Sequence, residues 1–336
     1  MSPVATRGSR PEGQAQGAKA KRRPPGTRSL RFMVLLVVVL LLCLLGVVMV
    51  LSASSVNDLR SYGDAWHHLK RQVLWFLLGL IAMAAMIRID YRRLRPLAVP
   101  GLFGCIVLLV LVLIPGLGLR TNGSARWLDL EVVSLQPSEF LKLALVLYCA
   151  DLLSRRKRPL TEKRLTLYPI MGLVGIIVAL LMMEPDLGTS MIVGSIAVAM
   201  LFFAGLRLRL LALLVGGGAI GAFGLTMSAG YRRKRLFGML DPWTDPLDTG
   251  WQAIQSGVAI SNGGLFGIGL GASRAKWGFL PFAHTDFIYA IIAEEFGLVG
   301  AGLVIVGFLV IGLVGLSTAL HAPDPFGQLL AAGITT

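Results

Sequence analysis

Four groups of ionisable residues interrupt or border apolar runs, where charge is costly and usually faces a bundle interior or a cavity. The first is Arg126-Trp127, followed by Gln136-Pro137-Ser138-Glu139 and Lys142. Pro137 suits the first turn of a helix, where its missing N–H costs nothing. Glu139 and Lys142 lie at i and i+3, so they share a helix face and can pair. They either neutralise one another or form, with Arg126, a site for an anionic substrate. The second group is Glu184-Pro185-Asp186-Leu187-Gly188-Thr189, squeezed between two apolar runs. Its two carboxylates could bind a divalent cation or form a hydrated turn.

The third group is the basic cluster Tyr231-Arg232-Arg233-Lys234-Arg235. It is either a solvated face or a surface for lipid phosphates or a pyrophosphate, which arginine recognises with a bidentate fork. The fourth is His284-Thr285-Asp286, directly before an apolar run. Asp286 could be a plain helix N-cap or a general base at the mouth of a membrane cavity. Glu294 follows eight residues on, roughly 12 Å deeper along a helix. Glu294 and Glu295, inside an apolar run, need polar partners.

The elements that must position these groups are long and apolar. The chain has 336 residues, of which 55% are hydrophobic and only 15% charged, with mean hydropathy +0.73. Soluble domains carry about 25% charged residues. Uncharged runs lie near residues 32–51, 73–89, 97–115, 135–153, 167–183, 187–206, 208–229 and 286–319. Each is close to the ~20 residues that cross roughly 30 Å of hydrocarbon. A ninth run begins near Phe326 and is cut off at Thr336. The expectation is an all-α, polytopic transmembrane bundle of eight full spans and the start of a ninth, in a truncated chain.

The net charge of +14 sits in short blocks between runs, where the positive-inside rule places it. Nucleic-acid binding is therefore rejected. Residues 1–31 are basic and rich in Pro and Gly, a disordered tail. The first run is longer than the ~7–15 residues of a signal-peptide core, so it reads as an uncleaved helix. Basic residues in the tail, at Arg88 to Arg95, Arg155 to Arg164, and Arg207 and Arg209 alternate along the chain. They put the N-terminus in the cytoplasm and residues 230–285 outside, as a large loop between spans seven and eight. Loops of that length are usually functional. Gly267-Ile-Gly269-Leu-Gly271 lacks the Lys-Ser/Thr ending of a nucleotide loop and follows no strand, so nucleotide binding is discarded. Cys43, Cys105 and Cys149 lie within apolar runs without metal-ligand spacing and read as small core residues. No internal repeat supports an inverted-repeat transporter.

Taken together, these motifs resemble the family that includes FtsW, RodA and SpoVE. The matching pieces are Asn122-Gly123-Ser124-Ala125-Arg126-Trp127, Gln136-Pro137-Ser138-Glu139 with Lys142, and Glu184 to Thr189. Further on come Tyr231-Arg232 with Arg235, Asp241-Pro242-Trp243, the glycine stretch, and Ala283-His284-Thr285-Asp286-Phe287-Ile288 with Glu294-Glu295. They follow the family's order over residues 32–336, and the basic tail and Ala-His-Thr-Asp form favour its division branch. The resemblance implies ten transmembrane helices, so the last two and the motif between them are missing here. It implies polymerisation of lipid II into glycan strands outside the bacterial cytoplasmic membrane. The implied partners are a class B penicillin-binding protein and other division proteins at the septum.

The resemblance also places the family's essential aspartate on Asp286. A carboxylate within about 2.6–3.2 Å of the acceptor hydroxyl can act as general base. Arg126, Lys142, Arg232 and Arg235 are the candidate cations for the departing pyrophosphate, with a divalent cation as a possible co-participant. Glu139, His284 and Glu294 are further substrate-binding candidates. A flippase for lipid-linked precursors and a non-catalytic division scaffold are the competing functions.

Overall fold

The computed structural model describes residues 29–121, 124–129, 134–155 and 163–336. The tail up to residue 28, Asn122-Gly123, and the basic stretch 156–162 lie outside them. Each of the eight apolar runs coincides with a helix. These are α1 (Leu30–Tyr62), α2 (His67–Arg88), α3 (Ala98–Leu113), α4 (Pro137–Ser154), α5 (Lys163–Met183), α6 (Leu187–Phe203), α7 (Leu208–Ser228) and α10 (Ile288–Leu320). Residues 230–285, read from the sequence as one long loop, contain α8 (Gly230–Leu240) and α9 (Trp251–Gly263). Both are too short to span hydrocarbon, so neither stands out as an apolar run. Helix α11 (Pro325–Thr335) follows α10.

Short connections reverse the chain from helix to helix. The α3–α4 connection meets the α5–α6 turn through Arg126, and the α1–α2 turn meets the segment before α10 through His68 and His284. The α3–α4 connection is a small antiparallel sheet that an all-α expectation did not contain. It comprises β1 (Gly118–Thr121), β2 (Ser124–Asp129) and β3 (Ser134–Leu135), in the order β1-β2-β3. At the opposite end of α3, a 3-10 turn at Tyr91–Leu97 is fastened by arginines to two acids. Arg95 donates to Asp151 on α4 at 2.6 Å, and Arg92 lies 3.2 Å from Asp324 beside α11.

Two apolar cores hold the helices. The first joins α3 to α6 and α11. Leu141, Leu145 and Cys149 repeat at i+4 on α4, and Ile170, Val174, Ile177 and Leu181 form one stripe on α5. Such spacing keeps side chains on one helix face. Helix α11 enters closely at Gly333, where a Cβ would lie 2.4 Å from Met200 Sδ and 2.7 Å from Val146 Cγ1. Small residues at contacts let membrane helices approach and gain dispersion energy. The second core joins α1, α9, the 3-10 turn at Ala275–Trp277 and α10, through Met49, Ala53, Ala259, Ile291 and Val304.

Outside both cores the surface is apolar. Helices α2 and α7 bury no residue, yet Ile220 and Phe308 are 76% and 64% exposed. Contiguous apolar surface on this scale fits lipid rather than water. Among the described residues, five helical segments are long and apolar enough to cross a membrane: Leu30–Tyr62, His67–Arg88, Tyr91–Leu113, Leu208–Ser228 and Ile288–Leu320.

Candidate functional site

Helix α10 is broken near its start, and the break organises the Asp286 end. Gly297 sits at φ 69°, ψ −169° within it, a conformation open to glycine. The glycine stretch lies against this break. Ile268 and Gly269 donate backbone N–H groups to the carbonyls of Glu294 and Glu295, at 3.0 and 3.1 Å. Leu298 and Val299 donate in turn to Gly264 and Leu265. Gly267 has φ 82°, and a Cβ there would stand 2.1 Å from the Glu295 carbonyl. The glycines thus serve backbone-to-backbone contact, as the rejection of a nucleotide loop left room for.

Glu294 finds the partners its burial requires, and Glu295 does so through one oxygen, Oε1, while its Oε2 is buried without a partner. Glu294 is fully buried and accepts from the Ser273 hydroxyl and from the N–H groups of Arg274 (3.2 Å) and Ala275 (3.3 Å). Glu295 Oε1 accepts from Ser52 Oγ (2.6 Å), the Ser273 N–H (3.3 Å) and Lys276 Nζ (3.3 Å). Lys276 also donates to the Gly271 carbonyl at 2.6 Å. These bonds tie α1, α10 and residues 271–276 together. Glu294 also borders a cavity of about 180 Å³, shared with Gln255, Asn262, Arg274 and Phe279.

Asp286 is held differently. It lies in the turn before α10 and is exposed. The N-cap position belongs to Phe287, without a side-chain capping bond, so Asp286 is not the plain cap its position allowed. Among the described residues no hydrogen bond or ion pair engages its carboxylate. His284 is half-buried, and its ring lies 4.7 Å from that of His68. Burial pushes the His284 imidazole below its usual pKa, and His68 adds to this, while Asp58 and Asp286 oppose it.

The Glu184 group forms on the α5–α6 turn. Arg126 projects from β2, on the face opposite its neighbour Trp127. It donates to the Glu184 carbonyl at 3.3 Å and the Pro185 carbonyl at 2.8 Å, and its Nε lies 3.8 Å from Asp186. Asp186 caps α6 through the Thr189 N–H (3.1 Å) and hydroxyl (2.9 Å). Glu184 is 2% exposed, and its Oε1 has no partner. Burial, with the Asp186 charge behind it, raises its pKa to about 7 against the pull of Arg126. The hydrated-turn alternative therefore does not describe Glu184. A divalent cation fits this donor set poorly, since both Asp186 oxygens serve Thr189 and a guanidinium stands alongside. Among the described residues no three His, Cys, Asp or Glu side chains form a metal-binding group.

The remaining candidates divide. Pro137 does occupy the first turn of α4, and Lys142 pairs with Glu139 at 2.8 Å. Arg232 donates to Tyr231 Oη and to the Leu225 carbonyl, at 2.9 and 3.2 Å. Arg235 is exposed, and among the described residues no hydrogen bond or ion pair holds it. No such bond links the Arg126 group to Asp286. The sequence reading missed Asp58 and His68, whose signal was an acid near the end of an apolar helix with two histidines just beyond the turn.

An apolar, many-helix bundle with unpaired ionisable groups defines a polytopic membrane protein. The chain matches the FtsW/RodA/SpoVE cell cycle protein family over residues 32–336 and belongs to it. A Geobacter metallireducens relative named probable peptidoglycan glycosyltransferase FtsW is 44% identical over 303 residues, spanning 90% of this chain and 80% of that one. Stage V sporulation protein E of Bacillus subtilis is 41% identical over 302 residues, 90% of this chain and 82% of that one. A chain from a peptidoglycan synthase complex coordinating polymerization and crosslinking superposes with TM-score 0.65 and 32% identity, covering 86% of this chain and 81% of that one. The Thermus thermophilus rod shape determining protein RodA gives TM-score 0.63 and 27% identity, over 90% and 79%.

Proposed function

We propose that this chain is a peptidoglycan glycosyltransferase that polymerises lipid II, with Asp286 as its general base. In the reaction the 4-hydroxyl of the acceptor's GlcNAc attacks C1 of the donor's MurNAc. The bond from C1 to the undecaprenyl pyrophosphate breaks as the new C1–O bond forms. The hydroxyl proton passes to Asp286. A carboxylate free of competing donors can take that proton, whereas one saturated by hydrogen bonds cannot. The observation that carries this reading is the exposed, unpartnered carboxylate of Asp286, in a chain whose relatives are named glycosyltransferases.

The pyrophosphate already carries two negative charges and gains a third as the C1–O bond breaks, so cations must meet it. Arg235 is best placed by its exposure, and the half-buried Lys142 by having Glu139 as its one ion pair among the described residues, while Arg126 and Arg232 already serve backbone carbonyls. Glu139 sets the Lys142 ammonium through their pair. Glu294 and His284 support the turn around Asp286. The orientation that suits this chemistry puts the N-terminus in the cytoplasm and residues 230–285 outside the bacterial cytoplasmic membrane, within a membrane domain of residues 32–336. A class B penicillin-binding protein would cross-link the strands at the division septum.

The test supplies labelled lipid II to the purified protein with its partner synthase. Glycan strands should form with the wild type and be lost in Asp286→Asn. Lipid translocation without polymer would contradict the proposal.

A further inference from the structure

A second acid–base pair lies beside the Asp286 turn, built from residues outside the motifs that identify the family. Asp58 is in the last turns of α1 and its side chain is fully buried. It accepts from Ser54 Oγ at 2.9 Å, from the His68 backbone N–H at 3.0 Å, and from His68 Nδ1 at 2.5 Å. A carboxylate bonded to Nδ1 fixes both the orientation and the tautomer of an imidazole. The support is rigid. Gly63 closes α1 in the left-handed conformation at φ 70°, and Tyr62 stacks on His67 at 4.0 Å with rings 10° from parallel. The oriented ring of His68 then meets that of His284, two residues before Asp286.

We propose that Asp58 and His68 form a positioning dyad, which holds the turn bearing Asp286 through the ring of His284 and works only while the two imidazoles are not both protonated. The proposal rests on Asp286 being the general base. Neutral rings 4.7 Å apart and tilted by 52° pack at no electrostatic cost. Two imidazolium ions at that separation repel strongly in a partly buried site. The groups around His68 set the balance. Asp58 and Tyr62 face it from α1, His67 from α2 itself, and His284 from the turn before α10, with Asp286 acting on His284. Burial and the His68 ring oppose a charge on His284, while Asp58 and Asp286 favour it. Turnover should therefore fall on the acid side at a pH well above the ~3.9 of an ordinary aspartate.

The experiment measures kcat and KM for lipid II against pH, using the full chain with its partner synthase. His68→Asn keeps an N–H donor for Asp58 and removes the titrating ring. Its acid limb should move down by at least one pH unit. Asp58→Asn leaves the imidazole without its anchor, and kcat should fall about tenfold with KM within twofold of wild type. A purely structural role would lower the yield of folded protein and leave the acid limb where it was. An unmoved acid limb in His68→Asn, or an unchanged kcat in Asp58→Asn, overturns the proposal. Polymer formed by Asp286→Asn would instead overturn the assignment of the base, so the two failures are distinguishable.

Discussion

The acids of the two cores differ in how many donors meet them, although Glu184 and Glu295 each keep one buried oxygen unpartnered. Around the first core, Glu184 is buried with one oxygen unpartnered, and the nearby guanidinium of Arg126 donates to backbone carbonyls rather than to it. Around the second core, Glu294 is buried among three donors and Glu295 Oε1 among three more. Asp286, a few residues earlier on the same segment, has none. Burial alone therefore does not mark a chemical group here. The donors around each acid separate those that fasten the fold from Asp286, which no hydrogen bond or ion pair holds among the described residues.

The largest expected effect lies with the fasteners. Lys276→Met leaves Glu295 buried without its cation, and breaking a buried pair costs about 3–5 kcal/mol. Thermal unfolding in detergent should show a marked loss of stability, read as a lower midpoint. Glu294→Ala is of the same order or larger. It strands the Ser273 hydroxyl and two backbone N–H groups, each at about 1–3 kcal/mol when left unsatisfied, and the same measurement should show it. If either variant instead kept wild-type stability and lost only activity, the contrast between fastener and reactive acid would break.

Glu184 sharpens the comparison through pH. Its folded pKa is raised to about 7 from the ordinary 4.5, so the folded state holds this proton more tightly than the unfolded chain. Its contribution is present in full below pH 4.5 and is lost as pH rises through about 7. Unfolding midpoints at pH 5 and pH 8 should differ less in Glu184→Gln than in wild type. The smallest effect on stability belongs to the half-buried Lys142 and the exposed Arg235. Lys142→Ala removes a surface pair worth about 0–1 kcal/mol, and Arg235→Ala removes no bond. Both should unfold like the wild type while slowing polymer formation, which a gel of labelled glycan would report.

Much of this arrangement was legible in the sequence. The eight apolar runs became helices because each needs only hydrophobic length. The Glu139–Lys142 pair and the Pro137 helix start follow from local spacing on one helix, which sequence expresses directly. Features that depend on distant segments were not legible. Asp58 and His68 meet across a turn between helices, and His284 joins them from more than two hundred residues away. The glycines at 263–271 gained meaning only once the broken start of α10 lay against them. Helices α8 and α9 were hidden in a segment too short and too mixed in polarity to show an apolar run. The sheet holding Arg126 rests on strands of two to six residues, below the length at which alternation can be read.

The most direct measurement pairs thermal unfolding with lipid II polymerisation in one preparation of Asp286→Asn beside the wild type. The account predicts an unchanged unfolding midpoint and no glycan strands, because the carboxylate carries no structural bond and supplies the base. Wild-type polymer from Asp286→Asn, or a midpoint lowered as far as in Glu294→Ala, would contradict it.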